Sequence, residues 1–419
     1  MGKVLIWAEH AFQLYSVKPV ADKYRKMGHS VYLMTHLQNP DLCSSYLELP
    51  KENILQVNTY RKKWHSWFVK LFEVLFVGLD YSIVYSDNYR NERGWAKFLR
   101  SIRFLKIRKD RINSSFNRFR SFIDFWNPNP IPGHEFDLLI TFTKVYFVLL
   151  LPRRVPHISI MESWDHPIKL PYFTEPDYCM TWNSDLKRDT VETQKLFRVR
   201  QIFPLKFRYI AERSGMADEE ILNSLTREDF RLEIKKLMEL RKSGKIVLYP
   251  ATTSSNGIEH EGEMKLIGDL CRALEGSGNV LYIKPKPNGP AGDYDEFAVF
   301  PHVFVGSYSS NPDSRDMLDE NYHSFRYLIL QNSDVVLNAG TTFVLEAAMM
   351  DRPVVQLNIS TARYGGFGAF VKTYHLSKYI LSVPGCLDYA GENDSLLNSV
   401  SEAGLSVSAA FKKWIRKWE

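Results

Sequence analysis

Short apolar runs, rich in β-branched residues and separated by polar turns and helical stretches, limit what this chain can fold into more than any other feature. In the first half they fall at 4–7, 30–34, 137–141, 157–161 and 178–182, and in the second at 246–249, 280–283, 303–305, 335–337 and 354–357. Runs of this length predict strands covered on both faces, as in the parallel sheets of α/β proteins. Gly28 stands where the first helix needs a residue tolerant of positive φ, and Asn183-Ser184-Asp185 reads as a helix start. The expected fold class is therefore α/β, with two doubly wound halves.

At 419 residues the chain exceeds one ordinary core, which agrees with two domains. We expect a Rossmann-like domain at 1–205 with a basic helical insertion at about 60–125, then a helical linker at 206–244. A second Rossmann-like domain at 245–404 and a basic amphipathic helix at 405–419 complete the chain. Hydrophobic content of 45% with 24% charged residues is that of a folded globular protein. Eleven lysines and arginines lie between Arg90 and Arg120, against Glu92 and Asp110 alone. This stretch is either a solvated helical face or a surface that attracts phosphate, including that of an anionic membrane. It carries no nucleic-acid recognition motif, and no nucleic-acid partner is expected. Cys43, Cys179, Cys271 and Cys386 are scattered without CxxC spacing, which suits a reducing compartment and argues against structural zinc. With no run of eighteen apolar residues and no signal-peptide core, the expected location is the cytoplasm, at most peripheral on the membrane's inner face.

The segment 331–357 carries most of the chemistry. A strand ends at Asn338-Ala339-Gly340 and a helix begins near Thr341-Thr342. Gly340 lets a phosphate approach the backbone, and bare N–H groups at the helix start favour its charge. The threonines can cap and donate hydrogen bonds, and Glu346, one turn on, either reaches a ribose or sugar hydroxyl or faces solvent. Thr252, Thr253 and Ser254 follow this half's first strand, while Lys284 and Lys286 follow its next. Both loops leave strand ends where parallel sheets bind ligands. Lysine neutralises phosphate as a point charge, although a structural Pro-x-Pro strand exit accounts for the same residues. In the first half Glu9 and His10 follow the first strand. A carboxylate beside an imidazole can set up a general base, or the histidine can simply satisfy a carbonyl. Glu162, Trp164, Asp165, His166 and Lys169 follow another strand. Asp165 or Glu162 can act as base or nucleophile beside the flat ring of Trp164, or these residues form a turn and core.

The Asn-Ala-Gly-Thr-Thr turn, the Glu346-Ala347 helix and the Pro353-Val354-Val355 entry to the next strand resemble the donor-binding segment of GT-B glycosyltransferases. Nucleotide-sugar 2-epimerases and CDP-glycerol polymerases share that fold. Lys284-Pro285-Lys286-Pro287 resembles a Lys-Pro-His-Pro segment of bacterial surface-polysaccharide transferases, with Lys286 in the histidine's place. Ser163-Trp164-Asp165-His166-Pro167, with Trp182-Asn183 downstream, is similar to a Ser-Trp-Asp-Asn-Pro pattern of envelope-polysaccharide transferases, with His166 in place of asparagine. The resemblance implies two Rossmann-like domains facing each other across a cleft. It implies a nucleotide-sugar donor on the second domain and a lipid-linked or oligosaccharide acceptor on the first, at Trp164, His166 and Lys169. Glu9, His10, Asp165 and Glu162 are the implied catalytic candidates, with no cofactor and no divalent metal. The alternatives are a CDP-alditol phosphotransferase or a 2-epimerase on the same fold and, from another class, a non-catalytic scaffold of envelope assembly.

Overall fold

The computed structural model describes residues 1–8, 13–37, 39–57, 131, 134–142, 155–161, 176–194, 196, 198–252, 258–286, 292–307, 318–373 and 386–416. The basic stretch expected at 60–125 lies outside them. The chain divides into two compact units, Met1–Lys206 and Phe207–Lys417.

The first unit is a parallel sheet of β1 (Lys3–Ala8), β2 (Ser30–Thr35), β3 (Ile54–Gln56), β4 (Leu138–Thr141), β5 (His157–Ile160), β6 (Tyr178–Thr181) and β7 (Val199–Gln201), in the order β3-β2-β1-β4-β5-β6-β7. Continuous apolar sequence places β1 in the interior, with Leu5, Ile6 and Trp7 fully buried. Helix α1 (Leu14–Lys26) returns the chain to β2 and ends, as the sequence predicts, at Gly28 with φ +84°. Helix α2 (Pro40–Leu47) starts on the Asn39 side chain, which accepts from Leu42 N at 2.9 Å. Helix α3 (Ser184–Gln194) starts at Asn183, whose Oδ1 accepts from Leu186 N at 2.8 Å. Trp182 beside it is a core residue, its indole N–H donating to Met161 O at 2.7 Å.

The second unit opens with α4 (Arg208–Arg213), α5 (Asp218–Ser224) and α6 (Glu228–Leu240). Its sheet consists of β8 (Ile246–Pro250), β9 (Val280–Lys284), β10 (Val303–Val305), β11 (Val335–Asn338), β12 (Val354–Ile359) and β13 (Leu387–Tyr389). All pair in parallel, in the order β10-β9-β8-β11-β12-β13. Helices α7 (Ile258–Leu274), α8 (Glu320–Gln331), α9 (Phe343–Met349), α10 (Thr361–Thr373), α11 (Asn393–Ser401) and α12 (Ser406–Arg416) cover it. Val247, Leu281, Leu337 and Leu357 of the sheet share one apolar cluster with Leu266 and Leu270 of α7 and Phe367 of α10. Gly262 lets α7 close on α10, since a Cβ there would stand 2.2 Å from Tyr364 O.

The segment expected as a linker supplies core to this unit. Ile234 and Leu237 of α6 are buried, and Phe230 stacks on Phe325 of α8 with ring centroids 4.1 Å apart. The terminal helix α12 packs on α9, burying Val407 and Phe411 and pairing Lys412 with Asp351 at 2.6 Å. Those two apolar positions are therefore used inside the unit and are not offered to a membrane. Among the described residues no helix is long and apolar enough to cross a bilayer.

Candidate functional site

In the second unit the strand order turns back between β8 and β11, with β9 and β10 on one side and β12 and β13 on the other. At such a switch point neighbouring crossovers leave toward opposite faces, and a crevice opens beyond the carboxyl ends of the strands. A cavity of about 290 Å³ lies there. The residues that end or follow β8 (Pro250, Ala251, Thr252), β9 (Lys284, Pro285, Lys286) and β11 (Gly340 to Phe343) form its floor and sides. Tyr322, Phe325, Arg326 and Ile329 of α8 form its remaining wall.

The turn after β11 is built from below. Gly340 has φ +103°, a conformation that side chains resist. Asn338 is fully buried; its amide donates to Gln356 Oε1 at 2.7 Å, and its Oδ1 accepts from Thr341 N at 3.1 Å and Thr341 Oγ1 at 2.7 Å. Phe343 N donates in turn to Thr341 Oγ1 at 3.3 Å. The expectation of bare amides is corrected here, because two of them already have side-chain acceptors. The following helix α9 spans only seven residues, so the dipole argument weakens with it. Asn338 shapes the turn and does not line the cavity; Gly340, Thr341 and Thr342 do. A Cβ on Gly340 would meet nothing closer than Val371 at 3.8 Å, so the cost of Gly340→Ala is backbone strain. We expect a loss of about 1–3 kcal/mol, read as a lower urea midpoint. An unchanged midpoint would show the turn to be permissive.

Two of the three basic lining residues are held by buried carboxylates. Lys284 Nζ donates to Glu233 Oε1 at 3.2 Å and Ser307 O at 2.9 Å, and stands 4.6 Å from the Phe325 ring centroid. Burial lowers its pKa, and Glu233 offsets part of that. Arg326 donates through Nη2 to Glu346 Oε1 at 2.5 Å and lies over the Phe343 ring at 4.5 Å. Burial works against its charge, but Glu346 and Tyr209 outweigh this and hold its pKa above the ordinary range. Lys286 is exposed and makes no ion pair with a described residue. Glu346 is 1% exposed and also accepts from the Tyr209 hydroxyl, whose pKa is raised by burial and by this carboxylate. It therefore faces neither solvent nor the cavity. Thr252 lines the cavity with its N–H and hydroxyl donated to the buried Glu263, at 2.7 Å and 2.8 Å.

Of the sequence-derived donor residues, the structure brings together Thr252, Lys284, Lys286, Gly340, Thr341 and Thr342. It sets Asn338 and Glu346 one layer behind them. Thr253 and Ser254 lie outside the described residues, as do Glu9, His10, Glu162, Trp164, Asp165, His166 and Lys169. The strands that precede the first-half candidates, β1 and β5, are parallel and flank β4, so their carboxyl ends share one edge of the sheet. Sequence reasoning missed Arg326, Tyr322 and Phe325. Their signal was present, since 322, 325, 326 and 329 follow the i, i+3, i+4, i+7 spacing of one helix face, with an arginine among apolar residues. Among the described residues no group of three or more His, Cys, Asp or Glu is placed to hold a metal ion.

The UDP-GlcNAc 2-epimerase of Methanocaldococcus jannaschii matches this chain with a TM-score of 0.50 at 9% identity, over 96% of this chain and 92% of that one. The fold is GT-B. Two further structures match over nearly their whole length: Anabaena HepE, solved with UDP and glucose (TM-score 0.45, 10% identity, 100% of this chain and 96% of that one), and the Neisseria meningitidis UDP-GlcNAc 2-epimerase bound to UDP-GlcNAc (0.47, 11%, 99% and 98%). At these identities the likeness is one of fold. No family model matches the sequence, and no curated protein is similar to it in sequence.

Proposed function

We propose that the second unit of this GT-B chain holds a nucleotide sugar and that the protein transfers the sugar to a growing surface glycan, lipid-linked or free. The observation that carries this reading is the cavity at the switch point. Three basic side chains line it, no acidic residue is among its described lining, and Tyr322, Phe325 and Phe343 give it an aromatic wall. Cations suit a phosphate, and flat apolar rings suit a base or sugar face. Glu9, His10, Glu162 and Asp165 supply the base or nucleophile, and Trp164, His166 and Lys169 hold the acceptor. The departing phosphate is neutralised by basic side chains, so EDTA is expected to leave transfer unchanged. Scattered, unbridged cysteines and the basic stretch at 90–120 support a cytoplasmic setting near an anionic membrane face.

Thermal unfolding with UDP-, GDP-, CMP- and CDP-linked sugars tests the reading. A donor at a hundredfold excess over its Kd adds about 2.7 kcal/mol, a rise of roughly 5–10 °C. No shift with any of them would overturn it. The fold match to a 2-epimerase supports a second reading, in which the donor is isomerised without acceptor. NMR of the bound donor alone separates the two, since only an epimerase turns it over.

A further inference from the structure

We propose that Arg326 is the side chain that grips the donor's phosphate, and that Glu346 is its positioning residue and not a contact to ribose or sugar hydroxyl. This rests on the reading of the cavity as a nucleotide-sugar site. Arg326 stands on the α8 face that lines the cavity, between Tyr322 and Phe325 on one side and Ile329 on the other. Its guanidinium is fixed on two sides, by the Phe343 ring at 4.5 Å and by Glu346 Oε1 at 2.5 Å. An arginine has five N–H donors in a planar fork. Among the described residues only Nη2 donates to an acceptor, Glu346, and the buried Nε has none. The fork therefore keeps donors beyond its bond to Glu346, and a phosphate oxygen is the acceptor that a guanidinium edge fits best.

Glu346 is placed to orient, not to bind. One of its oxygens faces Arg326 and the other the Tyr209 hydroxyl, and the residue is not part of the cavity lining. Reaching a ribose would break both contacts inside the core. Phe343 and Glu346 lie three residues apart in one short helix, so the turn at Gly340 and the clamp on Arg326 move as a unit.

Calorimetry with UDP, GDP and CDP, each beside its nucleoside, tests this. The paired variant Arg326→Met with Glu346→Gln keeps shape and leaves no buried charge, and its melting temperature reports folding. It should bind the preferred diphosphate at least about tenfold more weakly, yet the matching nucleoside within about twofold. Equal diphosphate affinity overturns the role of Arg326. Glu346→Gln alone should leave unchanged the ratio of affinities for the ribo- and 2′-deoxyribo-diphosphate. A collapse of that ratio puts the carboxylate on the sugar and overturns its positioning role. Wild-type protein that binds none of the three diphosphates, nor CMP, overturns the site itself, an outcome distinct from variants that bind as well as wild type.

Discussion

Lys284→Met should lower the melting temperature of the second unit by roughly 10 °C, a loss of about 3–5 kcal/mol. The lysine ends β9 at the cavity wall, and its ammonium meets Glu233, which is buried and also accepts from Tyr282, from Ser307 N at 3.0 Å and from the Ser307 hydroxyl. The two side chains are 13% and 4% exposed, so water cannot replace the missing charge. Methionine keeps the stem against Phe325 and strips the carboxylate of its cation. Burial already lowers the Lys284 pKa, and Glu233 restores only part of it, so the intact pair adds little net stability. The asymmetry gives the sharper half of the prediction. Lys284→Met combined with Glu233→Gln, which leaves no charge to bury, should recover most of the loss. Differential scanning calorimetry checks both, and a single variant that melts like wild type would show that Glu233 finds another partner. Lysine has a third N–H beyond its two bonds, so a loss of donor affinity in the stable double variant would assign that N–H to the phosphate.

The sheets were legible wherever a strand is covered on both faces. Runs such as Ile246–Tyr249 and Val280–Ile283 are continuous apolar stretches because β8 and β9 have neighbours on both sides and helices above and below. The strands that escaped notice, Ile54–Gln56, Val199–Gln201 and Leu387–Tyr389, are three residues long, and each lies at the edge of its sheet. An edge strand buries less and shows no period over so short a span, so Arg200 and Asp388 can sit within one. The site divides along the same line. Gly340, Thr341 and Lys284 announced themselves through turn chemistry at strand ends. The carboxylates of Glu233 and Glu263 did not, because both occur in helices rich in ordinary surface charge, and sequence alone does not show which glutamate turns inward. Glu346 illustrates the error: one helical turn past a phosphate-type loop it looked like a ligand residue, and packing against Tyr209 and Arg326 makes it a support. For the first unit, the strand ends preceding Glu9 and Glu162 emerge at one edge of the sheet.

Glu263→Leu should cost about 4 kcal/mol or more, since each buried donor left without an acceptor loses about 1–3 kcal/mol. Glu263 is fully buried on α7, where its Oε1 accepts from Tyr249 Oη at 3.0 Å and from both Thr252 donors, while Oε2 faces Tyr294 Oη at 3.4 Å. Leucine matches the volume but accepts none of these bonds. The harm should extend beyond stability, because Thr252 follows β8 and itself lines the cavity. With its anchor gone, Thr252 loses its fixed position, and donor affinity should fall by about tenfold even at temperatures where the unit stays folded. Glu263→Gln is the control with opposite expectation. It keeps a carbonyl oxygen in place to accept from Tyr249 and Thr252, so it should cost only about 1 kcal/mol and bind donor nearly as wild type does. Urea unfolding gives the first quantity and calorimetric titration below the transition gives the second. If the leucine variant bound donor as tightly as the glutamine variant, Thr252 would have no part in shaping the site.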